Sequence, residues 1–425
     1  MSDPVATSPM GRGPLIALLA ASITALTGRQ LSLVAIPWLV LTETGSAGRA
    51  GLVGAVAFLP AMVAGLLGGV LIDRIGARRM AIVANLVSAA GIVMIPLLDA
   101  TVGLAFWQLL VFVLVGSMLE IPALTAGRSM VPELAALAQQ PLERVNALFE
   151  SAQNVALLVG TPVAGLLIAA LGAQNVLWLD AAASLFGAII LLCWVPGSAF
   201  ARRAMAATQG FVGDLLAGLR FIRHDRLLWP MAIVLALTNA MSGAATSVIL
   251  PYYAEGTLRS ATALGLVFAA LGAGSLVGST AYGVVAGRVP RRLLWSVAFM
   301  LAPINLWVFL LNPGVGLLIA TFVLSSVVGG PLNPLMVTLR HERSPAEIRG
   351  RVFSTYSAIA MSAQSAGLLV AGQAVDGIGF LPAVVMFAVL AQLLGIATMV
   401  IPGFRQLDAP RPGPAAPVEP RPAVQ

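Results

Sequence analysis

Apolar residues in this chain occur in runs that are too long for the helices of a soluble domain. A helix rises about 1.5 Å per residue, so about 20 apolar residues cross the hydrocarbon core of a bilayer. Runs of that length recur between short polar breaks and predict twelve membrane spans. Numbered 1 to 12 in chain order, the predicted spans cover residues 14–41, 47–72, 80–98, 102–126, 145–171, 176–196, 228–253, 262–286, 293–311, 314–338, 353–375 and 380–401.

The polar breaks predict which way the chain faces. All but three of the 24 cationic residues fall on the side of the N-terminus, and an excess of cations marks cytoplasmic loops. We therefore expect both termini in the cytoplasm. The predicted order is a cytoplasmic segment (1–13), a six-helix bundle (14–196), a cytoplasmic central loop (197–227), a second six-helix bundle (228–401) and a disordered Pro-rich cytoplasmic tail (402–425). Within the central loop, FVGDLLAGLRFIRHDRLL predicts an amphipathic helix on the membrane surface.

The composition agrees with a chain that is solvated mostly by lipid. Apolar residues make up 59% and charged residues only 10%, whereas about a quarter of the residues in a soluble domain are charged. The arginines form short clusters between apolar runs, which argues against a nucleic-acid partner. The chain has two histidines, no phosphate-binding P-loop and no metal-ligand spacing. We expect no enzymatic activity, no cofactor and no metal.

The two predicted bundles share a weak internal repeat. An even number of spans in each half gives both halves the same topology, as in transporters built from parallel repeats with a substrate path between them. The predicted fold class is an all-α membrane protein with twelve transmembrane helices in two six-helix parallel repeats. The matching pairs are Pro37 and Pro251, Gly51 and Gly265, Arg74 and Arg288, Arg78 and Arg292, Pro122 and Pro334, Gly160 and Gly367, Gly165 and Gly372, and Gly172 and Gly379.

The turn between spans 2 and 3 carries the most specific motif. GVLIDRIGARRM resembles the signature of the major facilitator superfamily, although Ala77 stands where the first of two basic residues is usual. The second half has a degraded copy, GVVAGRVPRR, which contains Arg288 and Arg292 and has Gly287 at the acidic position. The residues that fit the signature are Gly69, Asp73, Arg74, Gly76 and Arg78.

This resemblance implies the major facilitator fold and a gate at the cytoplasmic mouth. Gly69 favours close helix packing and Gly76 a tight turn. The resemblance implies that Asp73 caps the N-terminus of span 11, which is entered through Arg351 in RGRVFS. The alternative is that the arginines only anchor the loop to anionic headgroups.

Further strings resemble the branch that contains bacterial macrolide efflux pumps and the enterobactin exporter. They are LSLVAIPWLVLTETGSA, RSMVPEL, ERVNALFESAQNVALLVGTPVAGLLIAALG, GLRFIRHDRLL and IRGRVFS. Span 5 also resembles the Gly-Pro-rich motif of drug antiporters, with its proline one residue late. Close packing or a gating hinge is expected at Gly160, Pro162 and Gly165 and at Gly367 and Gly372 of span 11.

Charged residues inside the predicted spans are functional candidates, because charges are costly in lipid. Arg29 lies about 22 Å along span 1 and is expected to face a central cavity. Glu120 of span 4, just before Pro122, is its expected partner, and the pair predicts a site for proton coupling or substrate. The alternatives are a static ion pair for Arg29 and pairing of Glu120 with Arg128.

Two other polar residues within the predicted spans, Asn239 and Asp180, are expected at different places. Asn239 in span 7 is a candidate for contact with the substrate path. Asp180 lies near the predicted start of span 6 and is expected at the outer membrane interface.

The resemblance implies export of an amphipathic small molecule, such as a drug, macrolide or siderophore, by proton antiport with alternating access. The expected partners are this substrate, protons and membrane lipid, and the expected state is a monomer in the bacterial cytoplasmic membrane. The alternatives are an uptake carrier or lipid flippase of the same fold and a non-transporting membrane sensor or scaffold.

Overall fold

The computed structural model describes residues 11–197, 211–345 and 348–408. The side chains of residues 59–71, Asp73, Asn154, Leu157, Phe211, Val212 and Asp214 lie outside this description. Every regular element in the described ranges is a helix. Spans 1 to 12 run over Gly13–Thr44, Ala47–Ile75, Ala77–Thr101, Phe106–Leu137, Leu142–Leu171, Ala173–Trp194, Leu228–Leu258, Ala261–Val285, Arg291–Leu311, Val315–Arg343, Arg349–Ile378 and Phe380–Val400.

The helices agree with the twelve predicted spans. Within the described residues, eleven helices are long and apolar enough to cross a membrane. Span 2 adds a shorter apolar stretch, Ala47–Phe58, because its next side chains are outside the description. The prediction of an all-helical membrane protein with twelve spans is confirmed.

Two segments between and after the bundles pack on the spans. A connecting helix, Phe211–His224, packs on span 11, and the hydroxyl of Thr355 donates to the carbonyl of Leu215 at 3.4 Å. Span 11 therefore contacts this helix, and its predicted position on the membrane surface stays a prediction. Residues 402–408, predicted as disordered tail, form a short helix because Phe404 is buried against Trp295, with ring centroids 5.1 Å apart. Residues 1–10 and 409–425 lie outside the description.

Prolines break spans 4 and 10 at equivalent places. Span 4 consists of Phe106–Ser117 and Glu120–Leu137, and span 10 of Val315–Gly329 and Leu332–Arg343. Pro122 and Pro334 follow the breaks, and a proline has no N–H to donate to the preceding turn. Both halves therefore carry the same interruption, which supports the internal repeat.

Glycine contacts join the two halves at two pseudo-equivalent places. A Cβ built on Gly51 of span 2 lies 3.2 Å from the Cα of Gly372 in span 11. A Cβ built on Gly165 of span 5 lies 2.5 Å from the Cα of Gly265 in span 8. Because the repeat relates Gly51 to Gly265 and Gly165 to Gly372, one contact is the symmetry copy of the other. Small residues allow helices to approach this closely inside a membrane.

The apolar core is continuous at one end of the bundle and divided at the other. We call the end that holds the start of span 1, the connecting helix and residues 402–408 the basic side, and the other end the opposite side. Towards the opposite side, one cluster of described side chains includes Val34 and Ala164 of the first half and Ile249 and Leu368 of the second. Towards the basic side, the described core forms one cluster in each half. The described packing thus holds the halves together at the opposite side.

Candidate functional site

A cavity of about 180 Å³ lies in the first half. All of its described lining residues belong to spans 1 to 6 except Ser247 of span 7. Most of the wall is apolar and includes Phe58 and Phe149, while its charged groups are Arg29, Glu120 and Asp180. The cavity thus combines an apolar wall with a small cluster of ionisable groups.

Arg29 and Glu120 form an ion pair in this cavity, as the sequence predicted. Nη1 of Arg29 lies 2.5 Å from Oε1 of Glu120, and the two side chains are 38% and 26% exposed. Glu120 begins the second segment of span 4, so the break before Pro122 places its carboxylate at a helix N-terminus, where negative charge is stabilised. The predicted alternative partner, Arg128, instead contacts Glu150 of span 5, with Nη2 and Oε1 3.1 Å apart.

The prediction that Asp180 lies at the membrane interface was wrong. Span 6 begins at Ala173, which places Asp180 about 10 Å inside the helix. The side chain is buried, accepts a hydrogen bond from the hydroxyl of Ser32 and lies 3.5 Å from the hydroxyl oxygen of Ser184. Asp180 therefore belongs to the same cavity as Arg29 and Glu120.

Gly28 explains how Asp180 approaches span 1. A Cβ built on Gly28 lies 2.6 Å from Oδ1 of Asp180 and 2.9 Å from the Cβ of Ala183. Any larger residue at position 28 would push span 6 away. The absent side chain lets the carboxylate lie beside residues 28–32, in the cavity that Arg29 and Glu120 also line.

Asn239 does not belong to the described lining of this cavity. Its amide nitrogen donates to the carbonyl oxygen of Leu235 in its own helix at 2.9 Å. Contact between Asn239 and substrate therefore stays a prediction. The hydrogen bond within span 7 shows how the helix satisfies this polar side chain.

Two arginines of the predicted gate motif cap helices within their own half. Arg78 donates to the carbonyl oxygens of Leu191 and Leu192 at the end of span 6, at 3.2 and 2.7 Å. Its repeat partner Arg292 donates to the carbonyl oxygen of Met399 at the end of span 12, at 3.4 Å. A cation stabilises the C-terminal end of a helix. The same arginine role in both halves supports the repeat.

The rest of the motif is partly described. Gly76 links spans 2 and 3 with a φ of +85°, which confirms the predicted tight turn. The Arg288 guanidinium donates to the carbonyl oxygen of Val284 in the helix before it. Gly69 and the Asp73 side chain lie outside the described side chains, so a gate that joins Asp73 to span 11 near Arg351 stays a prediction.

The predicted packing glycines lie at helix crossings. A Cβ built on Gly160 lies 2.7 Å from the Cβ of Gln30 in span 1, and one built on Gly367 lies 2.5 Å from the Cα of Ala240 in span 7. The carbonyl oxygen of Pro162 would lie 2.9 Å from a Cβ built on Gly265. Close packing is therefore observed at these positions, and a gating hinge stays a prediction.

One cross-half contact on the opposite side was not predicted. Asp376, near the end of span 11, accepts hydrogen bonds from the backbone N–H groups of Ala47 and Gly48, both at 2.9 Å, and from the Ser46 hydroxyl at 2.6 Å. These donors form the N-terminus of span 2, so the carboxylate caps a helix of the other half. The sequence signal was an acidic residue near the end of span 11.

Two six-helix repeats with charged residues in an apolar cavity define a membrane transporter. The family model of the Major Facilitator Superfamily matches residues 18–259 and 232–424, and the chain belongs to this superfamily. It is therefore a transporter rather than an enzyme.

Curated relatives cover nearly the whole chain. The Multidrug efflux pump Tap of Mycobacterium tuberculosis is 31% identical over 93% of this chain and 95% of its own length. The Macrolide efflux protein A of Streptococcus pyogenes is 24% identical over 88% of this chain and 92% of its own length. The predicted resemblance to efflux transporters is confirmed.

Solved structures share the fold at low identity. The nucleoside transporter NupG aligns with a TM-score of 0.73 and 13% identity, over 91% of this chain and 98% of its own. A bacterial homolog to the human lysosomal transporter Spinster aligns with a TM-score of 0.67 and 13% identity, over 95% of this chain and 96% of its own. These matches establish the architecture alone.

Proposed function

We propose that this protein exports amphipathic small molecules of the drug class across a bacterial cytoplasmic membrane in exchange for protons. The observation that carries the proposal is the Arg29–Glu120 ion pair in an apolar cavity within the membrane. Relatives named as a multidrug efflux pump and a macrolide efflux protein supply the substrate class and the direction. The arginine excess on the basic side supports a cytoplasmic position for that side.

The ion pair suits proton coupling because each partner is costly to leave alone in the membrane. Ionisable residues at this depth pair with one another and mark ion or proton pathways. A proton that reaches Glu120 neutralises the carboxylate and releases Arg29. The partial exposure of both side chains to the cavity gives the proton a route to them.

Alternating access is supported by the uneven packing of the two halves. The opposite side has a shared core and the Asp376 cap, whereas the described cores on the basic side are separate. Spans 2 and 11 run antiparallel, so each has its C-terminal end beside the N-terminus of the other. Asp376 closes the opposite side, and we assign Asp73 the matching cap on the basic side. Each cap breaks as the other forms.

We use the cavity volume to propose where substrate binds. Pockets for drug-sized ligands measure roughly 300–1,000 Å³, and the cavity measures about 180 Å³. A drug-sized substrate therefore needs more space than the first half provides. Ser247 of span 7 already reaches the wall, so we place the remaining space between the halves.

The test uses everted membrane vesicles with an imposed pH gradient and a panel of macrolides, cationic dyes and siderophores. For one proton exchanged, one pH unit supports about tenfold accumulation of substrate. We expect one class of compound to collapse the gradient and accumulate, and Glu120→Gln to abolish both effects. The matched control is Glu150→Gln, which alters a carboxylate near the basic side that pairs with Arg128. Full proton-driven transport by Glu120→Gln would contradict the coupling role, and accumulation in the other direction would indicate uptake.

A further inference from the structure

Asp180 is a second carboxylate in the cavity of the Arg29–Glu120 pair; it is buried and has no role in the proposed function. The three groups carry one positive and two negative charges when all are ionised. An uncompensated charge in an apolar interior is expensive, so a cluster of this kind is most stable when one proton balances it. The question is which carboxylate holds that proton.

The hydrogen-bond partners distinguish the two carboxylates. Among the described residues, Glu120 is bound by the Arg29 guanidinium, which can only donate and therefore favours the ionised carboxylate. The partners of Asp180 are the hydroxyls of Ser32 and Ser184. A hydroxyl both donates and accepts, so this pocket accommodates Asp180 with or without a proton.

The position of Asp180 also allows it to replace Glu120 as the hydrogen-bond acceptor for Arg29. Ser32 lies three residues after Arg29 and therefore on the same face of span 1. Gly28 leaves room for the carboxylate beside that face, in the cavity that Arg29 also lines. Breaking the bond to Glu120 would thus leave the guanidinium with a second carboxylate in the same cavity.

The other elements around Asp180 bring no further charge into the cavity. Span 1 contributes Arg29, and span 4 contributes Glu120. Among the described residues, spans 3 and 5, which also pack on span 6, line the cavity with uncharged side chains only, namely Ala81, Ala84, Asn85, Ser88, Ile92 and Phe149. The charge balance of the described cavity therefore depends on three residues.

We propose that Asp180 holds the exchangeable proton in the state seen here and becomes the partner of Arg29 when Glu120 is protonated. In this step the O–H bond of Asp180 breaks, an O–H bond forms on Glu120, and Arg29 moves from Glu120 to Asp180. The cluster is neutral before and after, so Arg29 is never left unpaired in the membrane. The meaning of this exchange for transport rests on the proposed function, whereas the position of the proton does not.

The first test measures that proton without any substrate. Infrared difference spectroscopy of the purified protein in lipid nanodiscs, with pH steps in H₂O and D₂O, detects the C=O stretch of a protonated carboxyl. We expect Asp180→Asn to remove this band. Glu120→Asp, which keeps a carboxylate as the partner of Arg29, should retain it. Asp99→Asn, a control whose carboxylate binds Gln174 outside the cavity lining, should also retain it.

A second variant covers the case in which Asp180→Asn does not fold. Ser32→Ala leaves the carboxyl in place and removes its hydroxyl partner, so we expect the same band to shift in frequency. A band that persists in Asp180→Asn, or one that moves in Glu120→Asp, would overturn the proposal. So would the absence of a protonated-carboxyl band, or a band that Ser32→Ala leaves unmoved.

The second test measures transport in proteoliposomes. Asp180→Asn should lower accumulation driven by one pH unit by about tenfold, while substrate counterflow, which needs no net proton movement, stays at the wild-type rate. Full proton-driven accumulation by Asp180→Asn would overturn the proposal. If the wild type shows no proton-driven transport but the infrared band still depends on Asp180, the proposed function fails and the proton assignment stands.

Discussion

In the proposed alternating-access cycle, the Asp376 cap offers a direct way to change the balance between the two open states. Oδ1 of Asp376 accepts from the N–H of Ala47, and Oδ2 accepts from the N–H of Gly48 and from the Ser46 hydroxyl. Asp376→Asn replaces one acceptor oxygen with a donor and removes the charge. We expect the contact on the opposite side to weaken and this side to open more often.

The expected size of this change in Asp376→Asn can be worked out from the interactions that the Asp376 carboxylate loses. At an exposed site, the lost charge–dipole attraction costs about 0.5 kcal/mol. A cap hydrogen bond lost to the backbone costs about 1 kcal/mol. The sum of about 1.5 kcal/mol corresponds to a roughly tenfold increase in the ratio of open to closed protein. In the proposed cycle this cap exists only while the opposite side is closed, so the whole energy difference changes the ratio of open to closed protein.

Distance measurements between spin labels test this prediction. Ala100 and Leu311 are exposed at the opposite-side ends of spans 3 and 9, one in each half, and Cys193→Ser removes the native thiol. Labels at Ala100→Cys and Leu311→Cys should show a longer distance more often in Asp376→Asn. Glu43→Gln, which alters an exposed carboxylate on the same side, is the control. An unchanged distribution, or an equal change in the control, would refute the reasoning.

Three further predictions test the packing described above. Gly165→Val places a side chain against Gly265 and should destabilise the protein by about 1–3 kcal/mol in thermal unfolding. The control is Gly314→Ala, which should have little effect because a Cβ at this position meets no atom within 4 Å. Gly28→Ala should displace Asp180 and lower proton-driven transport at normal expression, and unchanged transport would show that the close approach is dispensable. Arg78→Gln should lower stability by about 0.5–1 kcal/mol. Arg292→Gln should lower it by less, because the Arg292 hydrogen bond is longer. A larger loss of stability in Arg292→Gln than in Arg78→Gln would contradict the capping argument.

Span positions were predictable from the sequence, but helix ends on the basic side were not. Span 4 was expected to end at residue 126 and continues to Leu137, and span 11 begins at Arg349 rather than at residue 353. Hydropathy measures where a helix meets lipid, whereas these ends are polar helical turns beyond the hydrocarbon core. The chain continues as helix there because backbone hydrogen bonding does not depend on the lipid boundary.

The Arg29–Glu120 pair of the candidate site was predictable, because the depth of each residue along its span was enough to identify them as partners. Arg29 lies too far from either interface to reach water along the helix, and Glu120 was the acidic residue at a similar depth in a neighbouring span. Asp180 was misplaced because the hydropathy pattern started span 6 at residue 176, three residues late. Gly28 was a missed signal, but a glycine beside a carboxylate is recognised only when both helices are placed.

The two halves share their packing but not their chemistry. The glycine crossings, the breaks in spans 4 and 10 and the capping arginines all recur in both repeats. The repeat offsets place Gly243, Leu332 and Phe387 of the second half at the positions of Arg29, Glu120 and Asp180.

None of these three counterparts can exchange a proton or pair with an ion. In the second half, Gly243 instead receives the side chain of Gln364, which would lie 2.8 Å from an added Cβ. In the proposed mechanism, the packing features serve the movement of the halves, which needs both copies, whereas proton exchange needs one site. Loss of the first-half cluster therefore has no substitute at the pseudo-equivalent positions, and its variants should uncouple transport completely rather than by half.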